Sequence, residues 1–422
     1  MLLTVFFLTE MVLYLLKPVL EKNVPGRAKD AGRQDGWLVM KEVYLDNSAT
    51  TRISRESAAA MEEVLERVYG NPSSLHRLGL AAEKKIDESR AALAEILRVA
   101  PEEIYFTSGG TEAINLAIQG TARRLARRGR HLLTTAIEHP ATLYACRDLE
   151  EEGFEVDYLP VDREGRPELE ELRSRVRRDT LLVSVMHVNN EVGTILPVEE
   201  IGAAVKEKNP ATLFHVDAVQ SFCRLECRPR PWQADLVSIS AHKIHGPKGV
   251  GALYKREGLP VKPLLQGGGQ EGGLRSGTEN TPGIAGFAAA ALSLYGEREE
   301  NCRHMQGLKE RFLAGLSSRL PRAKVNGPRK GAPHIVSVAF PGLKGEVLLH
   351  TLEGEGIYVS TGSACHSRRR ELSHVLQALE LSEADISGTL RFSFSPFNSG
   401  EEIDYSLEKL AAAVTELEGL LR

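Results

Sequence analysis

A lysine and an aspartate, each at the end of an apolar segment, have the residue types that a carbonyl cofactor needs. Lys243 closes the run Ser238–Lys243, and Asp217 closes an earlier strand-like segment. A partly buried lysine can be neutral and can form a Schiff base. A strand-end aspartate can pair with a pyridinium nitrogen. Each residue alone is more typical of a structural role, such as a helix cap, so the pair is the informative signal.

A run of small residues between a predicted strand and a predicted helix could bind a phosphate. Thr107–Glu112 contains Gly110 and Thr111 at the expected helix N-terminus. Backbone N–H groups and the helix dipole favour an anion there. The run is neither a Walker sequence nor a GxGxxG sequence, so it indicates a single phosphate. An ordinary capping turn is the alternative interpretation.

Other polar residues follow further predicted strands. His139 could stack on a cofactor ring and carry protons, and Gln220 could reach the same ring from the turn after Asp217. The amide of Asn190 can bind a carboxylate or a phenolic oxygen, and Arg391 can clamp a carboxylate in a bidentate fork. Together with Lys243 and a phosphate cup, these residues indicate a pyridoxal 5'-phosphate (PLP) site.

One cysteine stands out as a nucleophile. Cys365 follows Gly362, Ser363 and Ala364 in a probable loop and precedes His366. A thiol in such a setting is a better thiolate candidate than the chain's other four cysteines. We therefore expect Lys243, Cys365 and His139 to be the catalytic residues.

Composition limits the class of protein. The 422 residues are 42% hydrophobic and 26% charged with a net charge of -4, which is typical of a globular protein and gives no reason to expect direct nucleic-acid binding. Five cysteines, an odd and scattered set, argue against a disulfide framework and favour a reducing, cytoplasmic setting. No set of residues has zinc-ligand spacing, so no metal site is expected.

Alternating apolar runs and helical patterns must position these residues. Strands are predicted at 104–107, 132–137, 181–187, 213–216 and 236–240, and helices at 112–125, 141–152, 198–208, 284–316 and 401–421. Apolar strands that alternate with helices favour an α/β fold with a mainly parallel sheet, whose carboxyl ends carry the site. We expect a large domain at 41–295 and a smaller α+β domain at 296–422 that carries the cysteine loop.

The first 40 residues leave three interpretations open. Residues 1–16 are mostly apolar, but the run is shorter than the roughly 20 residues that a membrane span needs. It also lacks the charged start and cleavage site of a signal peptide. A membrane anchor, an extension of doubtful order and an over-long start, with Met40 as the true first residue, all fit residues 1–40.

The motifs resemble the cysteine desulfurases of the class V, fold-type I PLP enzymes, of the nitrogen-fixation and iron–sulfur assembly type. The resemblance runs from about residue 41 to the C-terminus. Its matching pieces are Tyr44–Thr51, Gly70–Ser74, Ser108–Glu112, Glu138–His139, Asn189–Gly193, Asp217–Gln220, His242–Lys243, Arg275–Asn280 and Gly362–Cys365. It implies a seven-stranded sheet in the large domain.

The resemblance also implies a role for each site residue. Lys243 would hold PLP covalently, Asp217 would pair with the pyridine nitrogen, Gln220 would bond the phenolic oxygen and His139 would stack on the ring. The residues implied to hold the phosphate are Gly110, Thr111, Ser240, His242 and, from the second subunit of a homodimer, Thr278. Asn190 and Arg391 would bind the substrate carboxylate.

The implied reaction converts L-cysteine to L-alanine and leaves a persulfide on Cys365. The sulfur would pass to an acceptor protein, either an iron–sulfur scaffold or a tRNA-thiolation carrier. Three departures from the family pattern are Gln266, Ala241 and the basic run Arg368–Arg370, which could lower the pKa of Cys365 or bind an acidic partner. The alternatives are an aminotransferase or selenocysteine lyase of the same class, or a non-catalytic member that binds partners.

Overall fold

A computed structural model describes residues 41–361 and 372–420 of the chain. The interpretations of residues 1–40, the position of Cys365 and the basic run Arg368–Arg370 lie outside these described residues. Along the described chain, no helix is long and apolar enough to cross a membrane.

A seven-stranded sheet forms the centre of the fold, as the resemblance implies. Its strands are β2 (Ile104–Thr107), β3 (His131–Thr135), β4 (Glu155–Leu159), β5 (Thr180–Met186), β6 (Leu213–Asp217), β7 (Leu236–Ser240) and β8 (Gly251–Lys255). Their spatial order is β2-β8-β7-β6-β5-β3-β4, and β8 runs antiparallel to both of its neighbours. The other neighbouring pairs are parallel. The prediction of a mainly parallel α/β sheet is therefore confirmed.

Helices connect these strands and cover the sheet. They are α1 (Arg55–Arg67), α2 (Arg77–Leu97), α3 (Gly110–Asn115), α4 (Thr121–Leu125), α5 (Pro140–Glu151), α6 (Leu169–Arg175), α7 (Val198–Lys208) and α8 (Thr281–Gly296). The next helix, α9 (Arg298–Arg319), packs in the core of the C-terminal part instead. A π-helical turn, Leu116–Gly120, makes α3 and α4 one continuous helical run. Short 3₁₀ turns occur at Pro101–Glu103, Ala241–Lys243 and Glu271–Gly273.

Both faces of the sheet are buried. Adjacent residues of one strand belong to different hydrophobic clusters: Leu182 packs with one and Val183 with the other, and Leu213 and Phe214 divide in the same way. Successive side chains of a strand point to opposite faces, so each face has its own helix layer. This packing explains why the sequence of these strands is continuously apolar.

The C-terminal part forms a second sheet and a second core. A four-stranded sheet has the spatial order 360–361, 389–393, 335–339 and 324–326, and a separate pair joins residues 43–44 to 357–358. The elements are β1 (Val43–Tyr44), β9 (Lys324–Asn326), β10 (Ile335–Ala339), β11 (Ile357–Tyr358), β12 (Ser360–Thr361), β13 (Thr389–Ser393), α10 (Gly345–Gly354), α11 (His374–Ala378), α12 (Glu383–Ser387) and α13 (Gly400–Leu420). Val43 and Leu45 pack in this second core, although they lie at the start of the described chain. The division at residue 295 stays a prediction.

Candidate active site

A cavity of about 620 Å³ lies at the carboxyl ends of the central strands, beside the start of α3. It brings together nine of the predicted site residues, namely Gly110, Thr111, His139, Asn190, Asp217, Gln220, His242, Lys243 and Arg391. Ser240 is completely buried at the end of β7, behind the lining. Thr278 is exposed and does not line the cavity, and Cys365 is outside the described residues.

Lys243 enters the cavity from the 3₁₀ turn after β7. Its Nζ donates hydrogen bonds to the carbonyl oxygens of Ser48 and Ala49, each at 2.6 Å. Both acceptors belong to the segment that follows β1, so this segment forms one wall of the cavity. The two carbonyls fix the direction of the amine.

Asp217 is buried at the end of β6, the neighbour of β7 in the sheet. Burial raises the pKa of its carboxyl group to about 6, although a hydrogen bond from the Val219 N–H and the charge of Lys243 act in the opposite direction. The group is therefore mostly ionised at pH 7. A bound cation such as a pyridinium would favour the ionised form further.

The start of the helical run 110–125 forms the end of the cavity that is suited to a phosphate. A Cβ on Gly110 would lie 2.8 Å from Cγ2 of Val219 and 3.5 Å from Cβ of Ser240, so glycine permits the close approach of these segments. The buried Ser240 Oγ has no hydrogen-bond partner among the described residues. Burial, with smaller contributions from neighbouring cations, lowers the pKa of His242 to about 4, so its ring is neutral. A hydroxyl and backbone N–H groups thus offer donors to an anion.

His139 caps the helix α5 and faces the same cavity. Its Nδ1 accepts a hydrogen bond from the Ala141 N–H at 3.1 Å. In the neutral ring the proton must then be on Nε2, because a nitrogen that accepts cannot also carry the hydrogen. The cap therefore fixes both the tautomer and the orientation of the imidazole.

Arg391 reaches the cavity from β13, a strand of the second sheet. Its guanidinium donates to Oδ1 of Asp46 and to the carbonyl oxygen of Asn190, both at 2.9 Å. The buried Nε has no acceptor within the described part of the chain. An unsatisfied buried N–H is costly, so this group is suited to a ligand carboxylate.

Four residues around the site were not singled out by sequence reasoning. Ser48 contributes only a backbone carbonyl, which no residue type reveals. Glu191 lines the cavity and accepts a hydrogen bond from Ser373 Oγ at 2.5 Å. Glu138 is fully buried beside His139, and Arg224 donates to the carbonyl oxygen of Lys243 at 2.6 Å. Glu138 and Glu191 both lie within motifs of the resemblance, but a motif does not tell which of its members face inward.

Comparison with known proteins agrees with this geometry. Residues 43–405 match the family model described as "Aminotransferase class-V". "Cysteine desulfurase IscS" of Methanosarcina thermophila is 43% identical over 381 residues, which cover 90% of this chain and 94% of that protein. A protein of Bacillus subtilis described as "Putative cysteine desulfurase IscS 1" is 42% identical and matches over its whole length.

Solved structures give the same result. A structure described as "NIFS-LIKE PROTEIN" superposes with a TM-score of 0.85 at 42% identity, covering 89% of this chain and 100% of that one. Another, "SspA in complex with cysteine", has a TM-score of 0.76 at 34% identity and covers 84% of this chain and 99% of its own. The chain therefore belongs to the class-V aminotransferase family and, within it, to the cysteine desulfurases.

Proposed function

We propose that this protein uses PLP to convert L-cysteine to L-alanine and takes the sulfur as a persulfide on Cys365. The observation that carries the proposal is the single cavity that joins Lys243, Asp217 and the helix start at Gly110. No metal-binding cluster of three or more His, Cys, Asp or Glu side chains occurs among the described residues. The arrangement suits a ring with a carbonyl substituent, a basic nitrogen and a phosphate.

The chain's own groups fit each part of PLP. Lys243 would hold the carbonyl carbon, and Asp217 would face the ring nitrogen. Gly110, Thr111, Ser240 and His242 would hold the phosphate, for which the unpartnered Ser240 Oγ is the most direct support. Gln220 would bond the phenolic oxygen, and His139 would stack on the ring. When bound, PLP withdraws electrons from the substrate carbons and so weakens their bonds.

Arg391 and Asn190 would orient the substrate. The Arg391 Nε is the available donor for the carboxylate of L-cysteine, and the Asn190 side chain lines the cavity beside it. A structural relative has been solved in complex with cysteine, which supports this substrate. Lys243 and His139 are the groups placed to move the α-proton, since both line the cavity and both have an exchangeable N–H.

Cys365 would perform the sulfur transfer. Its thiolate attacks the sulfur of the bound cysteine and the substrate C–S bond breaks. The electron pair of that bond remains with the carbon skeleton, which gains a proton and leaves as alanine. The persulfide then passes its terminal sulfur to an acceptor protein. The acceptor follows from the resemblance to desulfurases of the iron–sulfur assembly type: an iron–sulfur scaffold is our first candidate, with a tRNA-thiolation carrier as the second.

We further propose a cytoplasmic homodimer. Cys146, Cys223, Cys227 and Cys302 are free thiols, which supports a reducing compartment. Thr278 is exposed and outside the cavity lining of its own chain, as expected of a residue that would reach the phosphate of a second subunit. Large apolar side chains with high exposure occur at Leu65, Tyr69, Leu75 and Leu80.

A comparison of three proteins tests the proposal. Wild type, Lys243→Ala and Cys365→Ala are loaded with PLP, and alanine and sulfide are measured from L-cysteine with a reductant. We expect wild type to release both products, Lys243→Ala to lose the covalent absorbance band and Cys365→Ala to keep that band but release no sulfide. If Cys365→Ala releases sulfide as fast as wild type, the nucleophile is wrong. If L-cysteine is not consumed, the proposed reaction is wrong, and another reaction of this enzyme class becomes the candidate function.

A further inference from the structure

A buried guanidinium lies directly behind the cofactor cavity. Arg224 is 5% exposed and does not line the cavity itself. Its Nη2 donates to the carbonyl oxygen of Lys243 at 2.6 Å, and its Nη1 donates to the backbone oxygen and the side-chain Oε1 of Gln220, each at 3.3 Å. One side chain thus contacts two residues that line the cavity.

The local backbone directs Arg224 inward. Cys223, the preceding residue, has a left-handed conformation with φ of 58°, which is uncommon for a residue with a side chain. The thiol of Cys302 in α9 donates to the Arg224 carbonyl oxygen at 2.7 Å and holds the turn from the other side. A strained residue beside a fixed arginine suggests that the position of the guanidinium matters.

No acidic group neutralises this guanidinium within the described residues; the acceptors that hold it are amide oxygens. Burial lowers the pKa of Arg224 to about 10, so the side chain is still a cation at neutral pH. A buried cation without an anionic partner is costly, and such groups are retained where they act on a neighbour or on a ligand. The nearest functional groups are those of Lys243 and Gln220.

Arg224 also determines how Gln220 presents its amide. An arginine side chain has only donors, so the oxygen of the Gln220 amide must face Arg224. The amide Nε2 is then turned to the cavity side, where it donates to the carbonyl oxygen of Ser48 at 2.9 Å. Lys243 Nζ donates to the same oxygen, so Arg224, Gln220, Ser48 and Lys243 form a closed ring of hydrogen bonds.

We propose that Arg224 is a positioning residue of the cofactor site, which fixes Gln220 as a donor towards an anionic ring oxygen and places a permanent positive charge behind Lys243. This inference rests on the proposed function, since it requires that Lys243 holds PLP. The positive charge disfavours a proton on the lysine nitrogen, both as the free amine and when bound to the cofactor carbonyl. As the free amine, the neutral nitrogen is the form that can attack the cofactor carbonyl.

The test compares Arg224→Met, which removes the charge, with Arg224→Lys, which keeps it. The matched control is Lys309→Met, because Lys309 is also a buried cation, with Nζ bonded to the Ala332 carbonyl oxygen, but does not line the cavity. Cofactor-free proteins are titrated with PLP to measure affinity, and the absorbance band of bound PLP is then followed against pH. The other titratable groups that line the cavity are unchanged in all variants, namely Glu112, His139, Glu191, Asp217, His242, Lys248 and Arg391.

For Arg224→Met we expect PLP affinity to fall roughly tenfold, from the lost orientation of one hydrogen bond. The pH midpoint of the band should rise by roughly half a unit or more, because a like charge near the nitrogen is gone. Arg224→Lys should have a pH midpoint close to that of wild type. Lys309→Met should change neither the PLP affinity nor the pH midpoint. A purely structural role would lower the thermal midpoint without shifting the titration.

A double-mutant cycle with Gln220→Ala isolates the positioning role. If Arg224 acts through Gln220, the double variant Arg224→Met/Gln220→Ala should lose less PLP affinity than the sum of the losses in the two single variants. Fully additive losses together with an unchanged pH midpoint would overturn the inference. Should Arg224→Met not fold, Arg224→Lys replaces it in the cycle. An Arg224→Lys change that lowers PLP affinity in the native background, but causes no further loss in the Gln220→Ala background, supports the inference. Equal losses in both backgrounds contradict it. A wild type without the PLP band would refute the proposed function instead, so the two failures can be told apart.

Discussion

At the scale of residues, three buried carboxyl groups around the cavity differ in the charges beside them. Burial raises the pKa of all three, to about 8 for Glu138, about 7 for Glu191 and about 6 for Asp217. Lys243 opposes the rise at Asp217 and Arg391 opposes it at Glu191, whereas only hydrogen bonds from Thr135 and Met186 oppose it at Glu138. Glu138 is therefore neutral at pH 7, and Asp217 is the group that is ready to receive a cation.

Glu138→Gln should stabilise the cofactor-free protein, and increasingly so as the pH rises. The pKa of Glu138 is higher in the folded than in the unfolded chain, so wild type loses stability as the pH rises from about 4.5 to about 8. Glutamine keeps the acceptor for Thr135 Oγ and the Met186 N–H and does not titrate. We expect its advantage in the free energy of unfolding to grow by about 2 kcal/mol between pH 6 and 8.5.

Urea unfolding at the two pH values measures this difference. The control is Glu152→Gln, because Glu152 is a partly exposed acid paired with Arg123 and its pKa is lowered. Its contribution is already complete at pH 6, so the effect of the control should not change with pH. A Glu138→Gln advantage that is the same at both pH values would contradict the buried neutral acid.

The residue types indicated several side chains that line the cavity, but not the residues that hold those side chains in place. Lys243 and Asp217 were proposed because each ends an apolar, strand-like segment, and Arg391 because a guanidinium on a strand can bind a carboxylate. Ser48 was not identified as a ligand, because it acts through its backbone carbonyl. The inward direction of Arg224 depends on the left-handed turn at Cys223, which no sequence pattern here indicates.

At the scale of elements, the start of α11 is hydrogen-bonded to residues that follow strands of the large sheet. Ser373 caps α11 by accepting from the Leu376 N–H and donates its hydroxyl to Glu191. His374 Nε2 bonds the carbonyl oxygen of Glu138 at 2.8 Å. Ser373 follows the predicted nucleophile Cys365 closely in the sequence, so a change at this junction bears on the proposed sulfur transfer.

Ser373→Ala should impair sulfur transfer more than cofactor binding. Loss of the cap should cost about 1 kcal/mol of stability, and loss of the bond to Glu191 should loosen the junction near Asn190. We expect the rate of alanine formation to fall roughly tenfold and PLP affinity to stay within about twofold of wild type. Steady-state kinetics measures the rate of alanine formation, and titration of the cofactor-free protein measures the PLP affinity.

Ser382→Ala is the matched control for this prediction. Ser382 caps the equally short α12 by accepting from the Asp385 N–H, and it is far from the cavity lining. Both variants should lose similar thermal stability, and the control should keep the wild-type rate. Equal rates for the two variants would mean that the bond between Ser373 and Glu191 has no part in the reaction.

Elements with strong periodic patterns were predicted well, and those with weak patterns were not. The strands at 104–107 and 236–240 match their predicted bounds, because both are short apolar runs between polar turns. The strands β4 and β8 were missed, since β4 carries Glu155 and Asp157 and β8 follows a glycine-rich turn. The long helix predicted at 284–316 is two helices that break at Glu297, where ψ of 14° leaves the helical range.

At the scale of the whole molecule, several large apolar side chains next to the start of α2 are exposed. Leu75 is fully exposed, and Leu80 and Tyr69 are more than half exposed. They fall within or beside the motif Gly70–Ser74 that the resemblance identified. Because these exposed apolar side chains lie at neighbouring positions of the chain, we place the interface of the proposed dimer here.

Leu75→Glu should separate the dimer and weaken PLP binding. The charge costs nothing in a single chain, because Leu75 contacts solvent, but it would be buried in the interface. A monomer would also lack Thr278 of the second subunit, so Thr278→Ala should lower PLP affinity in the intact dimer. Sedimentation velocity gives the mass, and Leu420→Glu, another exposed leucine, is the control that should remain dimeric. Leu75→Glu that sediments as a dimer with full affinity would exclude this interface.

The most direct measurement of the central claim is the intact mass of the protein after one turnover. PLP-loaded wild type and Cys365→Ala are mixed with L-cysteine without reductant or acceptor, and the reactions are quenched. Mass spectrometry then measures the intact mass of each protein, and peptide mapping locates the modified residue. We predict that wild type gains the mass of one sulfur atom on Cys365 while an equal amount of alanine forms, and that Cys365→Ala gains none. Alanine formation without added sulfur on wild type, or added sulfur on another cysteine, would contradict the account.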